Sequence, residues 1–163
     1  MANHASSAPD GALGALSAEV LDGHWAADAR SVILLVQAFS ERHDDTRPGG
    51  RVVMMTSGQH LGPLPGEVAY AAAKAALAGI TTTLADQLAG RGITLNTINP
   101  GPVDTGSMTA DMWEQVKGQF PAGRCGRPDD PARLISWLCT DEAAWITGQV
   151  LNTEGGFARW RRP

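Results

Sequence analysis

The sequence predicts an α/β fold built on a parallel sheet. Residues 51–57 (Arg-Val-Val-Met-Met-Thr-Ser) and 93–98 (Ile-Thr-Leu-Asn-Thr-Ile) are short runs bounded by glycine, with the length of buried strands. Between them, residues 67–89 are rich in alanine and hold no internal proline, which is the composition of a long helix. Strands that alternate with helices pair in parallel, because each helical crossover brings the chain back to the same end of the sheet.

The elements follow in order. Residues 17–42 carry a helical pattern whose centre, Val32-Ile33-Leu34-Leu35-Val36 with Phe39, is apolar nearly all round. Such a helix is expected to be covered on more than one side. Asp44-Asp45 and Pro48-Gly49-Gly50 mark a turn into the strand at 51–57. A Gly/Pro-rich loop, 58–66, leads to the long helix, which Gly90 and Gly92 close. After the strand at 93–98 comes the loop Asn99-Pro100-Gly101-Pro102-Val103-Asp104-Thr105-Gly106. Two shorter helices are expected near 108–118 and 129–139, and a last strand around 149–152 runs into Glu154-Gly155-Gly156.

A chain of 163 residues suits one compact domain, here taken as 1–163. A net charge of −4 and scattered cations argue against a nucleic-acid or anionic-membrane partner. The cluster Arg159, Arg161 and Arg162 reads as a solvated tail. Cys125 and Cys139 form no C-x-x-C pair or metal-ligand cluster, so no metal is expected. Cys139 lies in an apolar run with Leu134, Ile135, Trp137 and Leu138, which reads as a buried thiol in a reducing, cytoplasmic setting. The N-terminus lacks the pattern of a secretion signal, and no apolar stretch is expected to span a bilayer.

Tyr70 is the one tyrosine, and Lys74 follows it by one helical turn, so their side chains share a face. A free phenol, with a pKa of roughly 10, is a poor acid–base group at neutral pH. A nearby cation favours phenolate and lowers that value. Ser57 ends the preceding strand, where its hydroxyl faces the crevice in which α/β proteins bind ligands. The set reads as a serine holding a substrate oxygen, a tyrosine transferring the proton and a lysine tuning the tyrosine. Taken alone, Tyr-x-x-x-Lys is also what a solvated surface pair looks like.

Combined with the other blocks, the sequence resembles the short-chain dehydrogenase/reductase family. The blocks are Arg51-Val-Val-Met-Met-Thr-Ser57, Tyr70-Ala-Ala-Ala-Lys74, and Gly92-Ile-Thr-Leu-Asn-Thr-Ile-Asn-Pro-Gly-Pro-Val-Asp-Thr105. Gly123-Arg-Cys-Gly-Arg-Pro-Asp-Asp130 and Trp145-Ile-Thr-Gly-Gln-Val-Leu-Asn-Thr-Glu-Gly-Gly156 complete them. The likeness is to the 3-oxoacyl-carrier-protein reductase-like branch. It implies a Rossmann-like three-layer fold, of which this chain holds the rear part: about three parallel strands with flanking helices. It implies an NAD(P)-dependent oxidoreductase acting on a small carbonyl or alcohol, with Ser57, Tyr70 and Lys74 catalytic. Lys74 would also hold the nicotinamide ribose. The loop residues Pro100, Gly101, Val103 and Thr105 would meet the nicotinamide carboxamide and phosphates; an ordinary turn before a helix is the plainer reading of that loop.

Two departures qualify the likeness. Where the family places an asparagine that supports a relay water, this chain has Asp28. Its charge would oppose phenolate formation on Tyr70; a simple salt-bridged or helix-start acid is the equal alternative. The family's opening strand, glycine turn and helix, which receives the pyrophosphate, is not found. Asn3 resembles part of an Asn-Asn-Ala-Gly stretch that lies downstream of that turn, so Asn3 is expected at the cofactor and the chain at the end of the fourth strand. The run Ser57-Gly58-Gln59-His60-Leu61-Gly62 lacks a third glycine and reads as a substrate-side loop rather than a phosphate cradle. Gln59 and His60 are then substrate contacts or plain exposed polar residues.

These readings predict an unpaired edge on the 51–57 strand, which invites pairing with another chain. The helices at 24–42 and 67–89 resemble the family's dimer pair, so a homo-oligomer is expected. Activity of this chain by itself is doubtful on this reading. The alternative is a non-catalytic remnant that dimerises, and the DNA upstream of Met1 is where a missing opening would show.

Overall fold

In a computed structural model the described residues are 12–47, 49–106 and 108–158. The first helical region is continuous but not uniform. Helix α1, Ala18–His24, runs through a π-helical segment, Trp25–Arg30, into α2, Ser31–Arg42. Ser17 caps α1 by accepting from the Val20 N–H at 3.3 Å. Strand β1 is Gly50–Met55, helix α3 is Val68–Ala89, and strand β2 is Ile93–Asn99. Helices α4, Ala110–Lys117, and α5, Asp129–Leu138, precede strand β3, Val150–Asn152.

The three strands pair in parallel in the order β1-β2-β3, with Met55 opposite Ile98 and Ile98 opposite Leu151. Side chains alternate across β1 as a pleated strand requires. Met54, with Val52 beside it, joins Val36, Leu77, Leu88, Ile93 and Leu95 in a core under α2 and α3. Val53 and Met55 turn the other way, to Ile98 and Leu138 under α5. Helices therefore cover both faces of the sheet, as in the expected three-layer α/β architecture. Side-chain bonds tie α3 to the strands: Thr81 and Thr97 share a buried hydroxyl bond of 2.7 Å, and Thr56 donates to the Lys74 carbonyl at 2.7 Å.

Three expectations change. Cys139 is exposed, because it caps the C-terminus of α5 just past the apolar stripe; Cys125 is the buried thiol. Helix α2 is covered on one side within this chain: Val36 is buried, while Leu34, Leu35 and Phe39 are 54%, 49% and 39% exposed. Helix α3 is long and apolar enough to cross a membrane by length and mean hydropathy. It nonetheless packs on β2 and buries Lys74 in its second turn, which makes it the core helix of the sheet.

Among the described residues β1 pairs on one side only. A groove of about 470 Å³ runs along its open edge, lined by Val32, Leu35 and Phe39 of α2, Val53 of β1, and Ile135 and Cys139 near α5.

Candidate active site

The carboxyl ends of β1 and β2 lie side by side, at the end of a parallel sheet where α/β proteins bind ligands. Thr56 fixes the first exit, since its N–H donates to the Ile98 carbonyl at 2.8 Å and its hydroxyl to Lys74 of α3. Ser57 follows directly. The first turns of α3 carry Tyr70 and Lys74 on one face.

The structure brings together Ser57, Tyr70, Lys74 and Asp28. Ser57 hydrogen-bonds Tyr70. The Lys74 ammonium lies 5.7 Å from the Tyr70 ring centre, 3.8 Å from Asp28 Oδ1, and donates to the Met55 carbonyl at 3.4 Å. Lys74 is 3% exposed and Asp28 is fully buried. A buried unpaired charge is very costly, so each of these two charges requires the other.

The electrostatics correct one expectation. The lysine was expected to lower the tyrosine's pKa. Burial instead pushes the Tyr70 phenol above its ordinary 10.0, the Ser57 bond pulls it down, and the charges of Asp28 and Glu67 push it up. Burial likewise lowers Lys74, and Asp28 opposes that by favouring the ammonium. The anticipated opposition between Asp28 and a Tyr70 phenolate is present, and the lysine's charge is shared with Asp28.

His24 is the participant that reading the sequence missed. It is 2% exposed, its Nδ1 lies 2.9 Å from Asp28 Oδ2, and its ring meets Tyr70 edge-on with centres 6.2 Å apart. The available signal was the four-residue spacing of His24 and Asp28, the same spacing that singles out Tyr70 and Lys74.

The second exit, after β2, is a built loop. Asn99 is fully buried. Its side-chain amide donates to Asn152 at 2.9 Å and Glu154 at 2.8 Å, and its oxygen accepts from the Gly101 N–H at 3.0 Å. Gly101 has φ +65°, and a Cβ there would come within 2.9 Å of Glu154, so the tight approach needs glycine. Val103 pairs with Gly126 in a parallel bridge, and Asp104 N–H donates to the Gly126 carbonyl at 3.0 Å. Pro100, Gly101 and Val103 are thus held by neighbours rather than sitting in a free turn, and Thr105 is exposed at the loop's outer end.

Gln59 spends its amide on Thr56 at 3.3 Å, and His60 is exposed. Asn3 lies outside the described residues. No group of three His, Cys, Asp or Glu suited to a metal occurs among the described residues.

A serine–tyrosine–lysine set thus lies beside a fixed Pro-Gly loop at the carboxyl ends of two parallel strands. The family described as enoyl-(acyl carrier protein) reductase matches residues 1–158. The chain belongs to the short-chain dehydrogenase/reductase family. It is 49% identical over 158 residues to the uncharacterized oxidoreductase YjdA of Bacillus subtilis, covering 96% of this chain and 62% of that one. It is 38% identical over 111 residues to the 3-oxoacyl-[acyl-carrier-protein] reductase FabG of Thermotoga maritima, covering 66% of this chain and 45% of that one. Among solved structures, the reductase LugOII, which catalyses a keto-reduction in lugdunomycin biosynthesis, superposes with a TM-score of 0.85 at 33% identity. That match covers 95% of this chain and 61% of LugOII. The angucycline C-6 ketoreductase LanV, solved with bound NADP, superposes at 0.84 with 28% identity, covering 93% of this chain and 59% of LanV. The chain thus spans less than two thirds of the relatives it matches.

Proposed function

We propose that this protein supplies the catalytic half of an NAD(P)-dependent oxidoreductase that interconverts a small-molecule ketone or aldehyde with its alcohol. The observation that carries the reading is the buried Lys74 ammonium beside a tyrosine that is hydrogen-bonded to Ser57, at the carboxyl end of a parallel sheet. The keto-reduction catalysed by LugOII and the NADP bound to LanV support the same class.

The residues present fit the nicotinamide end of the cofactor. Lys74 offers ammonium hydrogens to a ribose, and Gly101 and Val103 expose backbone at a loop that a nicotinamide amide can meet. When bound, the nicotinamide supplies or takes the hydride. Ser57 then holds the substrate oxygen, and Tyr70 gives it a proton during reduction or removes one during oxidation. A phenol kept protonated by burial is ready to donate its proton to the substrate oxygen during reduction. Asp28 holds Lys74 by charge, in the place where the family has asparagine. Residues 1–163 then form one part of a Rossmann-like domain, with Asn3 at the cofactor. The open β1 edge and its apolar groove accept the remaining strands, and the exposed face of α2 together with α3 serves a homo-oligomer. A cytoplasmic location suits the two thiols.

A second reading, a non-catalytic dimerising remnant, draws on the incomplete coverage of the relatives and on the open β1 edge. Titration of NADPH and NADH separates the two. The chain is joined to the part of the B. subtilis relative that it does not match, and nicotinamide fluorescence is followed. Saturable binding that weakens at least tenfold in Lys74→Ala supports the enzyme, and no saturation supports the remnant.

A further inference from the structure

Asp28 meets His24 and Lys74 unequally. Its Oδ2 makes a 2.9 Å contact with His24 Nδ1, within the range of a charge-assisted hydrogen bond. Its Oδ1 stands 3.8 Å from Lys74 Nζ, an ion pair too long to be a hydrogen bond. A carboxylate only accepts, so the His24 ring carries a hydrogen on Nδ1. His24 Nε2 is then a buried nitrogen with no partner among the described residues. Leaving it so costs stability that a leucine of similar volume would not incur. Packing alone therefore does not account for a histidine here, whereas its bond to Asp28 does.

We propose that His24 is a positioning residue of the active site, which holds one oxygen of Asp28 so that the carboxylate does not close onto Lys74 and the ammonium stays turned toward Tyr70. The inference rests on the proposed role of Tyr70 and Lys74. The groups around the Tyr70 phenol are Ser57 after β1, Asp28 and His24 of the first helical region, and Glu67 and Lys74 of α3. Among these His24 acts through Asp28, which lies between it and the lysine.

The test needs neither cofactor nor substrate. Tyr70 is the one tyrosine, so phenolate absorbance against pH reports on it alone. In His24→Leu, Asp28 is expected to swing onto Lys74 and draw the ammonium from the ring, which raises the Tyr70 midpoint by about half a pH unit or more. His24→Asn places an amide donor where Nδ1 was and should restore the original midpoint. Asp28→Asn should lower the midpoint, and adding His24→Leu to it should move nothing further. If His24→Leu fails to fold, His24→Gln replaces it, since its amide reaches the Nε2 end and cannot stand in for Nδ1. An unmoved midpoint on loss of His24 would overturn the inference, as would a shift that persists with Asn at 28. The predicted shifts in a protein that never binds nicotinamide would uphold this inference and defeat the proposed function.

Discussion

At the residue scale the site is governed by burial acting on one phenol. The folded-state pKa of Tyr70 is raised above 10.0, so folding favours the protonated form. That contribution is complete at pH values below the unfolded pKa and is lost as pH climbs through the raised folded value. The stability difference between the native protein and Tyr70→Phe should therefore be flat through neutrality and shift against the native protein above about pH 10. Urea unfolding of both proteins at several alkaline pH values checks it, because titrating groups remote from Tyr70 cancel in the difference. A flat difference to the highest pH would mean that Tyr70 is solvated.

The cluster of Ser57, Tyr70 and Lys74 was legible in the sequence because each member is fixed by local spacing. Tyr70 and Lys74 lie one turn apart, and Ser57 ends a strand that glycines delimit. The direction of the tyrosine's pKa was not legible. It depends on how deeply the phenol is buried and on how Lys74 divides its charge, and both are set by tertiary packing. Cys139 shows the same limit. An apolar neighbourhood in sequence becomes exposed surface when the residue sits past the end of the helix.

At the scale of elements, the π-helical segment Trp25–Arg30 sets the first side of the site. The Ser31 N–H reaches back to the Ala26 carbonyl, five residues away, which widens the turn that carries Asp28. Such segments recur at functional sites. No composition signal marks this one, so the sequence read as plain helix. The β2 exit is the opposite case, with Pro100 and Gly101 visible as punctuation while the Asn99–Glu154 bond that holds them is formed across the fold. Gly101→Ala should cost about 1–3 kcal/mol, since its positive φ and its approach to Glu154 both exclude a side chain. Thermal unfolding measures that cost. In the core, Leu77→Ala should cost about 2–5 kcal/mol, because Leu77 is fully buried between helix and sheet.

At the scale of the whole molecule, parallel pairing and helices on both faces followed directly from the alternation of elements. What the chain leaves uncovered did not. An apolar helix centre was expected to be enclosed, yet Leu35 and Phe39 line the groove at the open β1 edge and Leu34 is exposed. Burying such surface is worth about 25 cal/mol per Å², so self-association or docking of a further segment is the expected outcome. Light scattering across a wide concentration range should show species larger than 17.1 kDa, and Leu35→Lys should shift them toward the monomer. A clean monomer at every concentration would contradict it.

In the proposed function, Tyr70 passes the proton that accompanies hydride transfer. The direct measurement is single-turnover oxidation of NADPH by a ketone substrate in the protein completed with its relative's opening segment, comparing the native chain with Tyr70→Phe. Nicotinamide binding should survive while the rate falls by about 10²–10⁴-fold, the worth of a positioned general acid. A Tyr70→Phe protein that reduces the ketone at the native rate would contradict it.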